Sequence, residues 1–181
     1  MRIVQARTTE LAPAEIADIR ALLWAAFDSD DEDDRFTEED WQHALGGVHF
    51  LADVDGRIVA HAAVVQRALQ VAGRPIRTGY VEAVATAPGE QRRGFGTAVM
   101  REVNAHISSI YELGALGTGS HGFYERLGWR TWRGPTAVRT DDGEVPTPDE
   151  AGYILVLITP ATPDINLDDP ISCEWRPGDV W

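Results

Sequence analysis

Two stretches near the start of the chain carry apolar side chains at helical spacing. Between residues 14 and 27 the apolar positions recur every three or four residues, which predicts an amphipathic helix. Thr37 is followed by three acidic residues. This order predicts an N-cap whose acidic first turn favours the positive end of a second, shorter helix. Two glycines after residue 45 are expected to close it.

The pattern then changes to apolar and β-branched runs, which are typical of strands. Residues 48–54 and 57–67 are two such runs, and the Asp55-Gly56 pair between them is a strong signal for a β-hairpin. A third run, residues 76–86, follows a turn that contains Gly and Pro. We expect it to extend the same antiparallel sheet.

A glycine-rich segment follows the third strand and opens a long helical pattern that ends near Ile110. The order of strand, glycine-rich loop and helix predicts an α+β (mixed α/β) fold. Residues 140–152 contain two Pro, two Gly and five acidic residues, a composition typical of a loop. The remaining predicted elements are a strand at 115–118, a helix at 122–127, and strands near 153–158 and 172–176.

Length and composition indicate one folded domain. The chain has 181 residues, of which 44% are hydrophobic and 25% charged, so we expect a single domain over residues 1–181. No apolar run approaches the roughly 18 residues of a membrane span, and the start lacks a signal-peptide pattern, so we expect a cytoplasmic protein. The single Cys173 excludes an internal disulfide and a cysteine-based zinc site.

The charge is unevenly distributed. The formal net charge is −13, and all 16 basic residues are Arg, which excludes Schiff-base catalysis and phosphate loops that need Lys. Two acidic segments, residues 28–40 and 141–181, flank a basic middle. This pattern disfavours nucleic acid as a partner and suits an anionic ligand beside a cationic one. A solvated acidic surface is the alternative interpretation.

The glycine-rich segment has the chemistry of an anion site. Gly94 and Gly96 allow backbone N–H groups to converge at a helix N-terminus, where a pyrophosphate is favoured without any Lys. Arg92 and Arg93 add two cations. The segment lacks the full dinucleotide-binding fingerprint, so a plain tight turn stays open on these residues alone.

Three motifs in order resemble the GNAT superfamily of acyl-CoA N-acetyltransferases: the strand 79–86, the loop 91–96 and the helix with its following turn, 122–129. The resemblance implies a central, mostly antiparallel, V-shaped sheet flanked by helices, with acetyl-CoA as cosubstrate. It places the coenzyme A pyrophosphate on the loop and the thioester arm along the strand. The residues so implied are Val84, Ala85, Gln91, Arg92, Arg93, Gly94, Phe95, Gly96 and Thr97.

A closer resemblance covers nearly the whole chain and is to the aminoglycoside 2′-N-acetyltransferases. Its motifs include residues 36–47, 61–67, 79–82 and 134–136, and the ending from Cys173 to Trp181. The family implies transfer of acetyl to a cationic drug, and hence antibiotic resistance. It leaves a homodimer open, and we expect neither nucleic acid nor a membrane as a partner.

The resemblance also assigns catalytic roles. Glu82 matches the carboxylate that takes a proton from the amine, directly or through one water. Tyr124 matches the proton donor to the departing thiolate, and the Val84 N–H matches the donor to the developing oxyanion. A buried ion pair for Glu82 and a core-packing role for Tyr124 are the structural alternatives.

Carboxylates are expected on the substrate side because aminoglycosides carry several ammonium groups. The chain departs from the family where Arg35 stands in place of a substrate-binding acid, which leaves the preferred drug open: either Asp34 replaces that acid, or Arg35 rejects a crowded cationic ring. At the end of the chain we expect a fold-back that turns Asp179 and the Trp181 carboxylate toward the substrate. The predicted substrate-binding residues are Asp34, Asp40, Glu82, Glu150, Asp179 and Trp181.

Other functions stay open at this point. Asp28, Asp30, Glu32 and Glu39 have the spacing of a calcium loop, but Asp33 stands where its turn requires Gly. The five histidines form no H-x-x-x-H pair, so we expect no metal. A GNAT enzyme for another amine and a non-catalytic acidic binder of cationic drugs are the remaining alternatives.

Overall fold

The computed structural model describes residues 1–31 and 35–181 and has an α+β fold. These residues cluster into two compact units. The first unit comprises Met1–Val65 and Val81–Val103, and the second comprises Gln66–Tyr80 and Asn104–Trp181. No helix in the described residues is long and apolar enough to cross a membrane.

Both predicted helices of the first unit are present. Helix α1 spans Pro13–Ala26 and buries Ile19, Leu22 and Leu23. Helix α2 spans Glu38–His43, and Thr37 caps it as the sequence indicates. The Thr37 hydroxyl accepts a hydrogen bond from the Asp40 N–H, and the Asp40 carboxylate accepts one from the Thr37 N–H.

The predicted hairpin of the first unit is confirmed. Strand β2 (Val48–Val54) pairs antiparallel with β3, which runs over Arg57–Val71. A β-bulge between Ala52 and Asp53 shifts their register by one residue. Strand β1 (Arg2–Arg7) pairs antiparallel with β2 and was not predicted, because its short run of mostly half-exposed residues carries no strong apolar alternation.

In the second unit, β3 turns at Ala72 and Gly73 into β4 (Arg74–Thr86), and both turn residues have positive φ. Strand β4 lies next to β3 in the sheet, as predicted, and the sheet contains both antiparallel and parallel pairs. Strand β4 is parallel to β5 (Leu113–Gly117), and β10 (Ile171–Glu174) is antiparallel to β3. Strand β9 (Ile154–Ile158) is antiparallel to β5 and to β6 (Arg130–Thr131).

The expectation that residues 140–152 form a loop is wrong. Strand β7 (Thr136–Thr140) pairs in parallel with β10 and antiparallel with β8 (Gly143–Pro146), and a 3₁₀ turn follows at Pro148–Glu150. Every residue of β8 is exposed, so the strand forms through backbone pairing and shows no apolar pattern in the sequence.

Two helices complete the fold. Helix α3 spans Phe95–Ile110, as the long helical pattern predicts, and extends through both units. Helix α4 spans His121–Glu125 in the second unit.

Candidate active site

The backbone of β4 is irregular at Ala83, next to two of the catalytic candidates. Ala83 lies between Glu82 and Val84 and has φ +53, in the left-handed region that non-glycine residues seldom adopt. Among the described residues with positive φ other than glycine, Ala83 alone lies inside a strand; Asp55, Ala72 and Arg92 lie in turns or loops. The conformation interrupts the regular alternation of the strand between the two positions to which the family resemblance assigns proton transfer and oxyanion binding.

A chain of hydrogen bonds ends at Ala83. The Thr8 hydroxyl lies 2.8 Å from His49 Nε2, His49 Nδ1 lies 2.9 Å from His61 Nε2, and His61 Nδ1 lies 2.7 Å from the Ala83 carbonyl oxygen. We call Thr8, His49 and His61 the histidine relay. Both imidazoles are fully buried. Burial lowers the pKa of His49 to about 4, and burial together with the nearby His49 lowers the pKa of His61 to about 3.

The glycine-rich loop has the backbone geometry of an anion site. Gly94 has φ +87, and no atom lies within 4 Å of where its side chain would be, so the backbone is open to a ligand there. The Gly94 carbonyl accepts the hydrogen bond of the Ala98 N–H at 2.9 Å. The N–H groups of the preceding residues in the first turn have no acceptor within the helix and are available to a pyrophosphate.

The two arginines of the loop differ in their surroundings. Arg92 has φ +61 and is exposed. Arg93 forms an ion pair with Glu90, which also pairs with Arg57. These arginines hold the pKa of Glu90 below its usual range. Arg92 therefore contributes the less compensated positive charge of the two.

Tyr124 lies on α4 in the second unit and is buried. Its ring packs edge-on against Phe123 and Trp129, with ring centroids 4.9 and 6.2 Å away. Burial raises the pKa of its hydroxyl to about 12, so the group keeps its proton at neutral pH. The residue therefore combines the packing role with the protonation state that a proton donor requires.

The charges of two carboxylates in the second unit act on a third. The pKa of Glu150 is raised, first by burial and then by the charges of Asp179 and Asp149. We call these residues the acidic group. The structure thus brings together two predicted substrate-binding residues, Glu150 and Asp179, that lie 29 positions apart in the chain. Mutual repulsion of this kind is relieved by a bound cation.

The segment that carries Asp179 folds back onto the second unit, as the sequence analysis expects. Trp181 is buried, and its indole N–H donates to the Thr147 hydroxyl at 3.0 Å. The buried Arg67 donates to the Val180 carbonyl at 2.8 Å, and Arg176 donates to the Asp179 carbonyl at 2.7 Å. The Trp181 indole therefore anchors the segment, and its role as a substrate contact stays a prediction. Trp175 is exposed.

The other predicted substrate residues lie in the first unit or outside the described residues. The Asp40 carboxylate completes the cap of α2, and its role toward a substrate stays a prediction. Arg35 donates through Nε to the Ser29 carbonyl at 2.7 Å, which ties its side chain to the acidic segment. Asp34, and Glu32 and Asp33 of the calcium alternative, lie outside the described residues. Among the residues that are described, no His, Cys, Asp or Glu cluster is arranged to hold a metal.

Comparison with known families decides the class of this fold. The model of the acetyltransferase (GNAT) domain matches residues 7–132. The chain belongs to the GNAT acetyltransferase family. An aminoglycoside 2′-N-acetyltransferase from Mycolicibacterium fortuitum is 40% identical to this GNAT chain over 166 residues, which cover 90% of the chain and 83% of that relative.

Solved structures confirm the GNAT fold. A GNAT family acetyltransferase from Brucella melitensis in complex with acetyl-CoA matches with a TM-score of 0.59 at 19% identity, covering 91% of this chain and 94% of that one. An acyl-CoA N-acyltransferase from Pseudomonas aeruginosa matches with a TM-score of 0.61 at 13% identity over 86% and 98%. Eis1 from Mycobacterium abscessus matches with a TM-score of 0.59 at 19% identity over 75% of this chain, which spans about a third (33%) of Eis1.

The histidine relay is the part of the site that sequence reasoning missed. His49 and His61 interrupt apolar runs within β2 and β3, and a buried polar residue in such a run needs a hydrogen-bonding partner. That signal was available in the sequence. The two histidines do not have the sequence spacing of metal ligands, because they bond to each other across two strands.

Proposed function

We propose that this chain transfers an acetyl group from acetyl-CoA to the 2′-amino group of aminoglycosides, and so confers resistance to them. The observation that carries the proposal is the acidic group, where burial and the charges of Asp179 and Asp149 raise the pKa of Glu150. Such a group favours a ligand with several positive charges. The relative from Mycolicibacterium fortuitum, with its name and 40% identity, supports the same substrate class.

Acetyl-CoA supplies an acetyl thioester. The open backbone at Gly94 and the first turn of α3 fit its pyrophosphate, and the exposed Arg92 adds a positive charge. The Val84 N–H donates a hydrogen bond to the thioester oxygen as negative charge develops there. A backbone donor suits this role because its orientation is fixed before the reaction begins.

Glu82 accepts the proton that the attacking amine must lose, directly or through one water. It is half-buried and precedes Ala83, whose φ is positive. Tyr124 returns a proton to the departing thiolate, and its buried hydroxyl carries that proton at neutral pH. Transfer is direct, so neither a cysteine nor a serine nucleophile takes part.

Cellular location and assembly are part of the same proposal. We place the enzyme in the cytoplasm as a homodimer that acts on small cationic molecules. The net charge of −13 supports such a substrate and disfavours nucleic acid.

The proposal is tested by release of coenzyme A thiol with a panel of amines. We expect turnover with aminoglycosides that carry a 2′-amino group and none with otherwise similar drugs that carry a 2′-hydroxyl. Mass spectrometry and NMR of the product identify the acetylated nitrogen. A polyamine or peptide as the best substrate would replace the aminoglycoside proposal, and binding without turnover would indicate a non-catalytic binder.

A further inference from the structure

The direction of every hydrogen bond in the histidine relay is fixed by its last member. A carbonyl oxygen only accepts, so His61 Nδ1 must carry a proton and donate it to the Ala83 oxygen. In the neutral ring His61 Nε2 then accepts, and His49 Nδ1 must donate to it. His49 Nε2 accepts in turn from the Thr8 hydroxyl, which receives a hydrogen bond from the Gly46 N–H at 3.0 Å. The relay therefore has one tautomeric arrangement.

The relay ends on the peptide group that links Ala83 to Val84. The Ala83 carbonyl and the Val84 N–H belong to the same peptide group, and in a planar trans peptide they point in opposite directions. Holding the carbonyl from the His61 side therefore aims the Val84 N–H to the opposite side. A hydrogen bond to the carbonyl also polarises the peptide and strengthens its N–H as a donor.

The peptide needs such a restraint because Ala83 is in the left-handed region, with φ +53. Strained backbone of this kind persists only where the surroundings hold it. The relay supplies a rigid support, since both rings are fully buried and the Trp41 ring packs 6.0 Å from the ring centre of His49. Because both rings are neutral, they orient the peptide without placing a positive charge beside Glu82.

We propose that His61, fixed in one tautomer by His49 and Thr8, is a positioning residue that orients the Ala83–Val84 peptide and so sets the Val84 N–H for the thioester oxygen. The role of the Val84 N–H rests on the proposed acetyl transfer. The orientation of the peptide does not, and it is measured separately.

The structural measurement uses protein labelled with carbonyl ¹³C in Ala and ¹⁵N in Val. Only peptides in which Val follows Ala give a correlated signal, and the chain has four of them, ending at Val64, Val84, Val99 and Val138. We expect His61→Leu to shift the Val84 signal and to leave those of Val99 and Val138 in place. An unmoved Val84 signal would overturn the proposal whatever the kinetics show.

The kinetic measurement separates kcat from KM in the same variants. Loss of one oxyanion donor costs roughly 10²- to 10³-fold in kcat, so misorienting it by His61→Leu should lower kcat at least about tenfold. The KM values for both substrates should change less than about threefold. His61→Asn should restore most of kcat and the wild-type Val84 signal, because the Asn amide nitrogen can donate from a position close to that of Nδ1. Failure of this rescue would contradict the positioning role.

Controls separate orientation from loss of stability. Ile76→Ala truncates a buried residue at the other end of β4 and should lower stability while leaving kcat and the Val84 signal unchanged. If His61→Leu does not fold, His49→Leu replaces it, with a smaller shift and a smaller loss of kcat expected. A wild-type enzyme without turnover on any aminoglycoside would refute the proposed function, while the Val84 signal would still decide whether His61 orients the peptide.

Discussion

The histidine relay and the acidic group differ in burial and in charge. The relay is neutral and fully buried, and each hydrogen bond in it has a fixed direction. The acidic group is partly or fully exposed, and the charges of Asp179 and Asp149 act on Glu150. Buried neutral hydrogen bonds are insensitive to salt, whereas interactions between exposed charges are screened.

This difference separates two tasks of the proposed enzyme. Orienting one peptide group requires rigidity, which the core of the first unit provides. Attracting a flexible polycation requires a field, which carboxylates at the surface provide at the cost of mutual repulsion. Substitutions near β4 should therefore change the rate of chemistry, and substitutions in the acidic group should change substrate affinity and its salt dependence.

The largest effect is expected for Glu82→Gln, next to Ala83 in β4. General-base catalysis contributes roughly 10²- to 10⁴-fold, so kcat should fall by that factor while acetyl-CoA binding is retained. Steady-state kinetics with a substrate whose amine is protonated at the assay pH measure the effect. A loss under about threefold at the pH optimum would remove Glu82 from the role of base.

The buried histidines should make the fold acid-sensitive. Their pKa values are lowered from 6.5 to about 4 and about 3 in the folded protein. Below pH 6.5 the histidines of the unfolded chain therefore bind protons that the folded protein does not bind. The free energy of unfolding therefore keeps its full value above pH 6.5. It falls as the pH drops toward 4, by at most about 1.4 kcal/mol per pH unit for each histidine. Denaturant unfolding between pH 7 and pH 4.5 measures this slope. The double variant His49→Gln, His61→Asn should flatten it, and an unchanged slope would place its origin elsewhere.

The glycine-rich loop tests the coenzyme side of the first unit. Gly96→Val should raise the KM for acetyl-CoA about tenfold, because a branched side chain in the first turn of α3 hinders close backbone approach of the pyrophosphate. The KM for the amine should change little, and circular dichroism should show a folded protein. An unchanged affinity for acetyl-CoA in a folded variant would mean that the pyrophosphate binds elsewhere.

The smallest effect is expected in the acidic group. Asp179 is exposed, so Asp179→Asn should raise the KM for aminoglycosides by roughly threefold to tenfold, less at high salt, and leave that for acetyl-CoA unchanged. It should also lower the pKa of Glu150 toward its usual value, which NMR titration can follow. Asp141→Asn, another exposed carboxylate, is the matched control. Equal effects of the two substitutions would mean that general surface charge, and not the acidic group, attracts the substrate.

A point substitution is the better test here because of how Val180 and Trp181 are bound. The Val180 carbonyl accepts from the buried Arg67, and the Trp181 indole is buried against Thr147. Deleting these two residues would leave Arg67 with fewer acceptors and would expose apolar surface. We therefore expect a deletion to lower stability as well as substrate affinity. Asp179→Asn removes the charge but keeps a side-chain oxygen that can accept the hydrogen bond from the Trp181 N–H, which Asp179 Oδ1 accepts at 3.2 Å.

The main elements of the fold follow from local patterns in the sequence. The β2–β3 hairpin, α1, α2 and α3 follow from period and capping, which are local properties of the chain. The motifs at 79–86, 91–96 and 122–129 also indicate the GNAT family, because each motif is a short run of neighbouring residues. Strands β1 and β8 were missed because an edge strand is stabilised by backbone pairing, which leaves little trace in side-chain pattern.

The contact between His49 and His61, in contrast, depends on the register of two strands and could not be predicted from a local pattern. An uninterrupted register from the Asp55-Gly56 turn would place Phe50 opposite His61, and His49 would then project from the other face of the sheet. The bulge between Ala52 and Asp53 shifts the pairing by one residue, so that Leu51 lies opposite His61 and both histidines share a face. A one-residue shift moves every later side chain to the opposite face, and its position depends on packing around the strands that no local pattern records.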